Sequence, residues 1–217
     1  VKENTTILFG AMNTAGGSLK WFRDALYGGE TPQNDAYPRI NKEIEAGAKD
    51  PTGLIFLPYM AGERAPIWDP NARGTFMGLN MNTTRAEMLR AVMEGTSFAL
   101  QDNLDQAIKT GIPIRDFICC GGCSKSDIWL KIKASVIGQE IKIPSVNLGA
   151  PGGLGYMNAA FMGEYKTPED ASRAALQIKK VVEPVEEWIP VYKELYQIYL
   201  DSYQSLKSQF AALAQIK

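Results

Sequence analysis

The sequence predicts an α/β domain, a mixed sheet with flanking helices, and three features carry that prediction. Apolar strand-like runs and helical periodicities succeed one another as strand, strand, helix, strand, helix, strand, helix, an order that builds layers of helix on sheet. One segment, Thr84 to Lys109, repeats apolar residues at three- and four-residue steps over its whole length. Two glycine pairs, Gly16-Gly17 and Gly121-Gly122, each sit just ahead of a helix. Corners of that kind leave backbone amides at a sheet edge, where open α/β sheets tend to bind ligands.

Thr5 to Phe9 reads as a short strand or extended lead, Asn13 to Ser18 as a turn, and Leu19 to Leu26 as a helix ending before Gly28-Gly29. Pro38 to Ala48 forms a short helix, stopped by Asp50-Pro51-Thr52-Gly53. Leu54 to Tyr59 and Gly74 to Leu79 form a β-hairpin around a long polar loop, with Pro58 shortening the first strand. The helix from Thr84 to Lys109 takes Thr83 or Thr84 as its cap and ends at Gly111. Asp116 to Cys120 is an apolar strand, Gly121 to Ser124 a turn, and Ser126 to Gly138 a helix with Ile128, Ile132 and Val136 on one face. Glu140 to Pro144 is a short strand, the stretch Gly149 to Gly153 a flexible turn, and Leu154 to Met162 a helix closed by Gly163. Pro168 to Ala175 starts another helix. Tyr192 to Ala214 is an amphipathic helix of mixed charge that packs on the domain and does not enter a membrane.

With 217 residues, 45% of them apolar, the chain can fill a core of ordinary domain size. Lys plus Arg number 23 against 24 for Asp plus Glu, so no overall positive field gathers nucleic acid. The absence of His removes Ser-His-Asp, Cys-His and most zinc hydrolase chemistry. Cys119, Cys120 and Cys123 crowd into one stretch and cannot supply an ordinary closed zinc site, which excludes a metalloenzyme of that type. Adjacent Cys119 and Cys120 point to opposite faces of a strand, so a disulfide scaffold is not expected either. Free thiols, no signal peptide and no membrane-spanning run point to the cytoplasm.

The segment Cys119 to Ser126, CCGGCSKS, is the sharpest local feature. Gly121 and Gly122 let backbone approach a flat or charged ligand, while Ser126 can cap the next helix or hydrogen-bond that ligand. The bland reading is a plain tight turn, because glycines commonly punctuate strand ends. No GxxxxGK[ST] or GxGxxG pattern is present. Gly16 and Gly17 pose the same choice, and Lys20 either lies near phosphate or faces water. Trp21 reads as core. Cys123 is a reactive thiol at a helix start or, on the general burial of free cysteines, a small packing residue. Glu63, Arg64, Asp69 and Arg73 read as salt-bridged struts in the hairpin loop rather than as catalytic groups.

Taken together, Asn13 to Trp21 (NTAGGSLKW), Phe56 to Gly74 (FLPYMAGERAPIWDPNARG), Gly74 to Leu79 with Glu87 to Glu94, and Gly121 to Ser126 resemble the FGGY carbohydrate kinases, near their xylulokinase and gluconokinase end. The motifs occur in the family's order and spread over most of the chain. The resemblance implies a ribonuclease H-like domain of the actin and hexokinase type forming one wall of an interdomain cleft. It places Gly121 and Gly122 along the adenosine of ATP and Ser126 near the base, with Gly16, Gly17 and Lys20 on the other side of the nucleotide. Cys123 stands where a Gly or Ala is common and narrows the turn. Tyr156, in a helix start usually written LGAA, adds bulk beside the adenine wall.

The resemblance also implies that residues 1–217 form the carboxy-terminal half of the kinase. The sugar pocket and the Asp base then lie in an amino-terminal domain of the same polypeptide, and the glycine-threonine phosphate loop that opens the second domain is also outside this chain. The expected reaction is transfer of the γ-phosphoryl of MgATP to a sugar hydroxyl, with no catalytic residue on this chain and no turnover by this chain alone. An apolar face left by a missing domain is compatible with a homodimer. Two other readings remain at this level: a regulatory protein that kept the nucleotide fold, and a non-catalytic α/β interaction module.

Overall fold

The computed structural model describes residues 7–26, 33–146 and 149–216. Thr5 and Thr6 of the predicted lead strand and Gly28-Gly29 lie outside them, and residues 7–10 have no regular secondary structure. Helices α1 (Ala15–Leu26), α2 (Gln33–Gly47) and α3 (Arg85–Lys109) enclose a hairpin of β1 (Ile55–Leu57) and β2 (Thr75–Met77). The hairpin is antiparallel, with Phe56 opposite Phe76. Helix α4 (Asp127–Ile137), strand β3 (Ile141–Pro144), helices α5 (Gly149–Phe161) and α6 (Pro168–Ala175), strand β4 (Ile178–Val182) and helix α7 (Trp188–Leu213) complete the chain. The result is an α/β fold with small sheets flanked by helices.

Helix α3 is the spine. Thr84 caps it through a capping box, its hydroxyl accepting from the Glu87 N–H while the Glu87 carboxylate accepts from the Thr84 N–H at 2.6 Å. Leu89, Val92, Met93 and Phe98 are buried, and α1, α2, α4 and β1 all pack against it. Gly95 makes the closest of these approaches: a Cβ there would stand 2.1 Å from the Phe56 carbonyl oxygen. Inside the core lies an ion pair that sequence pattern did not reveal, Arg90 Nε to Glu94 at 2.7 Å with both side chains fully buried. Arg90 also donates to the Ala48 and Lys49 carbonyls and to the Tyr192 hydroxyl, and its guanidinium lies 4.4 Å from the Trp188 ring centre. That cluster ties α3 to α7 and to the end of α2.

Several expectations change. The stretch 116–120 is extended but is not a full strand. It meets β3 through one parallel bridge, Ile118 to Lys142, while β4, which sequence reading missed, pairs β3 on an antiparallel register. Four of the five β4 residues are exposed, so no apolar alternation marked it. Helix α1 begins at Ala15, so Gly16 and Gly17 occupy its first turn rather than a preceding loop. Helix α5 likewise starts at Gly149, because Pro151 falls in its first turn, where no N–H is needed. Helix α2 starts five residues before Pro38 and includes it. Trp21 is 51% exposed, and its neighbour Phe22 fills the core position instead.

The loop struts are real but are not ion pairs among the described residues. Glu63 and Asp69 exchange backbone hydrogen bonds at 2.9 and 3.0 Å, and Asp69 accepts from Tyr203 of α7. Glu63 Oε1 accepts from the Asn13 and Arg64 amides, whereas Oε2 is buried without a partner.

Candidate functional site

Three helices frame one open cavity of about 740 Å³: the start of α1, residues near Tyr37 of α2, and the turn that leads into α4. The turn owes its shape to Gly121, whose φ of 84° and ψ of −163° belong to a backbone region that side chains disfavour. A single 3₁₀ turn, Gly122–Lys125, comes next, held by Ser124 donating from both its amide and its hydroxyl to the Gly121 carbonyl. Ser126 then caps α4, its hydroxyl accepting from the Trp129 N–H and donating to Asn41 of α2 at 2.9 Å.

Of the residues singled out by sequence, Gly16, Lys20, Gly122, Cys123 and Ser126 line this cavity. Gly17 and Gly121 do not: Gly17 lies within the first turn of α1, and Gly121 shapes the turn ahead of α4. Tyr156 is not among the lining residues, so it adds no bulk to this wall. Ser126 is 8% exposed and acts first as cap and cross-link. A Cβ built on Gly16 or on Gly122 meets nothing within 4 Å, so both glycines border open space.

Sequence reading missed other lining residues: Arg23, Asn41, Lys125, Trp129 and Lys133. Arg23, Trp129 and Lys133 reach the groove from positions that look like ordinary helix faces, and the packing of α1, α2 and α4 on α3 assembles them. The lining cations are Lys20, Arg23, Lys125 and Lys133, and no carboxylate is found among the described lining residues. Arg23 is held by Asp24 at 2.7 Å through Nε and by the Tyr37 hydroxyl at 3.2 Å. Lys133 sits 4.9 Å from the Trp129 ring centre. The Trp129 indole N–H is buried with no hydrogen-bond acceptor, while other atoms of the ring form part of the cavity wall.

The two thiols at the turn interact. Cys119 Sγ and Cys123 Sγ are 3.5 Å apart, and all three cysteines are free. The hydrogen bond from Cys119, with help from the Lys133 charge and against partial burial, brings the Cys123 thiol down to about 5. The same hydrogen bond and burial push Cys119 well up. Cys123 thus packs against the core, as its packing reading expected, and also lines the cavity.

The groove combines bare backbone, an aromatic wall and four cations, a chemistry suited to a flat, polyanionic ligand. Among the described residues no group of three or more His, Cys, Asp or Glu could hold a metal, and no helix is long and apolar enough to cross a membrane.

Known proteins agree with this architecture. A xylulose kinase of Staphylococcus epidermidis is 30% identical over 213 residues, covering 98% of this chain and 42% of that protein. A gluconokinase of Bacillus subtilis is 26% identical, covering 96% of this chain and 42% of that protein. The ligand-bound xylulose kinase structure from Lactobacillus acidophilus superposes with a TM-score of 0.82 at 29% identity, over 94% of this chain and 40% of its own. The chain therefore spans about 42% of the length of the curated relatives it matches. Residues 1–164 match the model described as the FGGY family of carbohydrate kinases, C-terminal domain, and it is to that family that the chain belongs.

Proposed function

We propose that this chain is the nucleotide-binding half of an ATP-dependent carbohydrate kinase, with ATP lying in the cavity between α1, α2 and α4. The observation that carries the reading is that Gly16 and Gly122, far apart in sequence, border one groove with four cations and no described carboxylate. The purine lies against the bare turn at Gly122 and the Trp129 side of the cavity. Lys20, Lys125 and Lys133 face the phosphates. Gly17 and Gly121 serve by holding the backbone of the two corners, and Cys123 and Ser126 form the wall between them.

Magnesium that accompanies ATP is ordinarily held by the nucleotide phosphates, waters and one or two carboxylates; among the described residues no group of three or more His, Cys, Asp or Glu could hold a metal. Phosphoryl transfer needs the acceptor hydroxyl held in line and a base within hydrogen-bond reach of it. The described cavity lining holds no carboxylate to be that base. The amino-terminal domain of the same polypeptide supplies it, together with the sugar pocket, in this reading. The acceptor is a ketose or sugar acid, and xylulose is the first choice because the xylulose kinase is the more similar of the two relatives compared. Free thiols and dependence on ATP fit a cytoplasmic setting.

Calorimetric titration of the chain with ATP, ADP, xylulose and gluconate tests the division of labour. Nucleotide binding without sugar binding or turnover is expected. Gly122→Leu is the matching variant: its backbone is not in the left-handed region and its Cβ meets nothing, so folding is retained while the new side chain fills the groove. Sugar binding or turnover by the chain alone, or undiminished ATP binding by a folded Gly122→Leu, overturns the proposal.

A further inference from the structure

The cavity wall carries a chemistry that phosphoryl transfer does not use. Cys119 sits in the small apolar cluster around Leu130, Ile141 and Val182, while Cys123 opens on the cavity in the 3₁₀ turn. Their sulfurs are 3.5 Å apart, in contact yet unbonded. A disulfide requires about 2.05 Å, so closure asks for a shift of roughly 1.5 Å. The third cysteine, Cys120, is exposed, and its carbonyl meets the Cys123 thiol at 3.7 Å.

We propose that Cys123 is a modification site for hydroperoxides, with Cys119 as the thiol that converts the oxidised product to a Cys119–Cys123 disulfide in the cavity wall. The Cys123 sulfur attacks one peroxide oxygen; an S–O bond forms, the O–O bond breaks, and the departing oxygen leaves as water or an alcohol after taking a proton. Cys123 is then a sulfenic acid. The Cys119 sulfur attacks the Cys123 sulfur, the S–S bond forms, and the S–O bond breaks, its oxygen leaving as water with the Cys119 proton. Two thiols lose two electrons and one peroxide gains them. Lys133 favours the thiolate that starts the sequence, and the open cavity admits the oxidant. Both thiols are half-buried, but only Cys123 is among the cavity-lining residues, and Cys119 already touches its target.

The proposal stands apart from the nucleotide reading, because the bridge is tested on the ligand-free chain. The test treats the chain with hydrogen peroxide, alkylates remaining thiols and maps the peptides. A bridge joining Cys119 to Cys123, reversed by dithiothreitol and retained in Cys120→Ser, is expected. In Cys119→Ser the bridge is lost and a sulfenic acid on Cys123 is trapped by dimedone. A bridge through Cys120, oxidation of wild type that stops at Cys123, or a Cys123 that stays fully alkylatable after treatment each overturns the proposal.

Discussion

The buried pair of Arg90 and Glu94 offers the sharpest test of how this core is held. Both side chains have no solvent exposure, and between them they engage the Ala48 and Lys49 carbonyls, the Tyr192 hydroxyl and the Thr52 hydroxyl. Burial pushes the Glu94 carboxyl upward, and the Arg90 guanidinium and the two hydroxyls pull against it. Arg90→Met leaves that carboxyl with no countercharge and two main-chain carbonyls with no donor. Breaking one side of a buried pair costs about 3–5 kcal/mol, a large part of the ~5–15 kcal/mol that holds a typical domain. At about 2–4 °C per kcal/mol for a chain of this size, the melting midpoint falls by roughly 6–20 °C. The double variant Arg90→Met/Glu94→Leu removes the stranded charge and recovers part of the loss relative to Arg90→Met. Urea unfolding at neutral pH, followed by tryptophan fluorescence, measures both. An Arg90→Met variant within about 1 kcal/mol of wild type, or a double variant as unstable as the two single losses summed, refutes the reasoning.

Three further outcomes rest on particular contacts. Gly95→Ala drives a methyl group into the Phe56 carbonyl and separates α3 from β1, costing about 1–3 kcal/mol in the same unfolding assay; an unchanged midpoint contradicts the close approach. Glu63 is buried with one oxygen unpartnered, and burial raises it above its ordinary 4.5 against the pull of the Asn13 and Arg64 amides. The native state therefore holds a proton that the unfolded chain has released. Stability is lost as pH rises from 4.5 through the raised value, and the stability of Glu63→Gln relative to wild type climbs across that window and then levels. A difference that is flat or falls with pH counts against this. Ser126→Ala removes a helix cap and the link to Asn41 together, for about 1–2 kcal/mol. Ser126→Asn restores more of that loss than Ser126→Gly, because it both caps α4 and offers Asn41 a donor; equal stability of all three variants rejects the cross-link.

The long helix α3 was legible because twenty-five residues of regular spacing and a capping box leave little competition for the backbone. The hairpin was legible because Pro58 and the apolar runs mark its edges. Strand β4 was not, because its side chains face solvent and its pairing is set by β3 rather than by its own pattern. The starts of α1 and α5 were misplaced for one reason: glycines read locally as turn residues, yet the first helical turn tolerates them when packing fixes the later turns. At the site, Gly16, Lys20, Gly122, Cys123 and Ser126 could be found because glycine corners carry a local signature. Arg23, Asn41, Trp129 and Lys133 could not, since each becomes a lining residue only when separate helices meet. Arg90 and Glu94 were equally hidden, because charged residues on a helix are ordinarily solvated.

The Ser126 hydroxyl bridges α4 and α2 at the edge of the groove, where one atom both ends a helix and grips its neighbour. Such a bond fixes the distance between Asn41 and the α4 start, so the width of the groove along that edge is set by a single hydroxyl group.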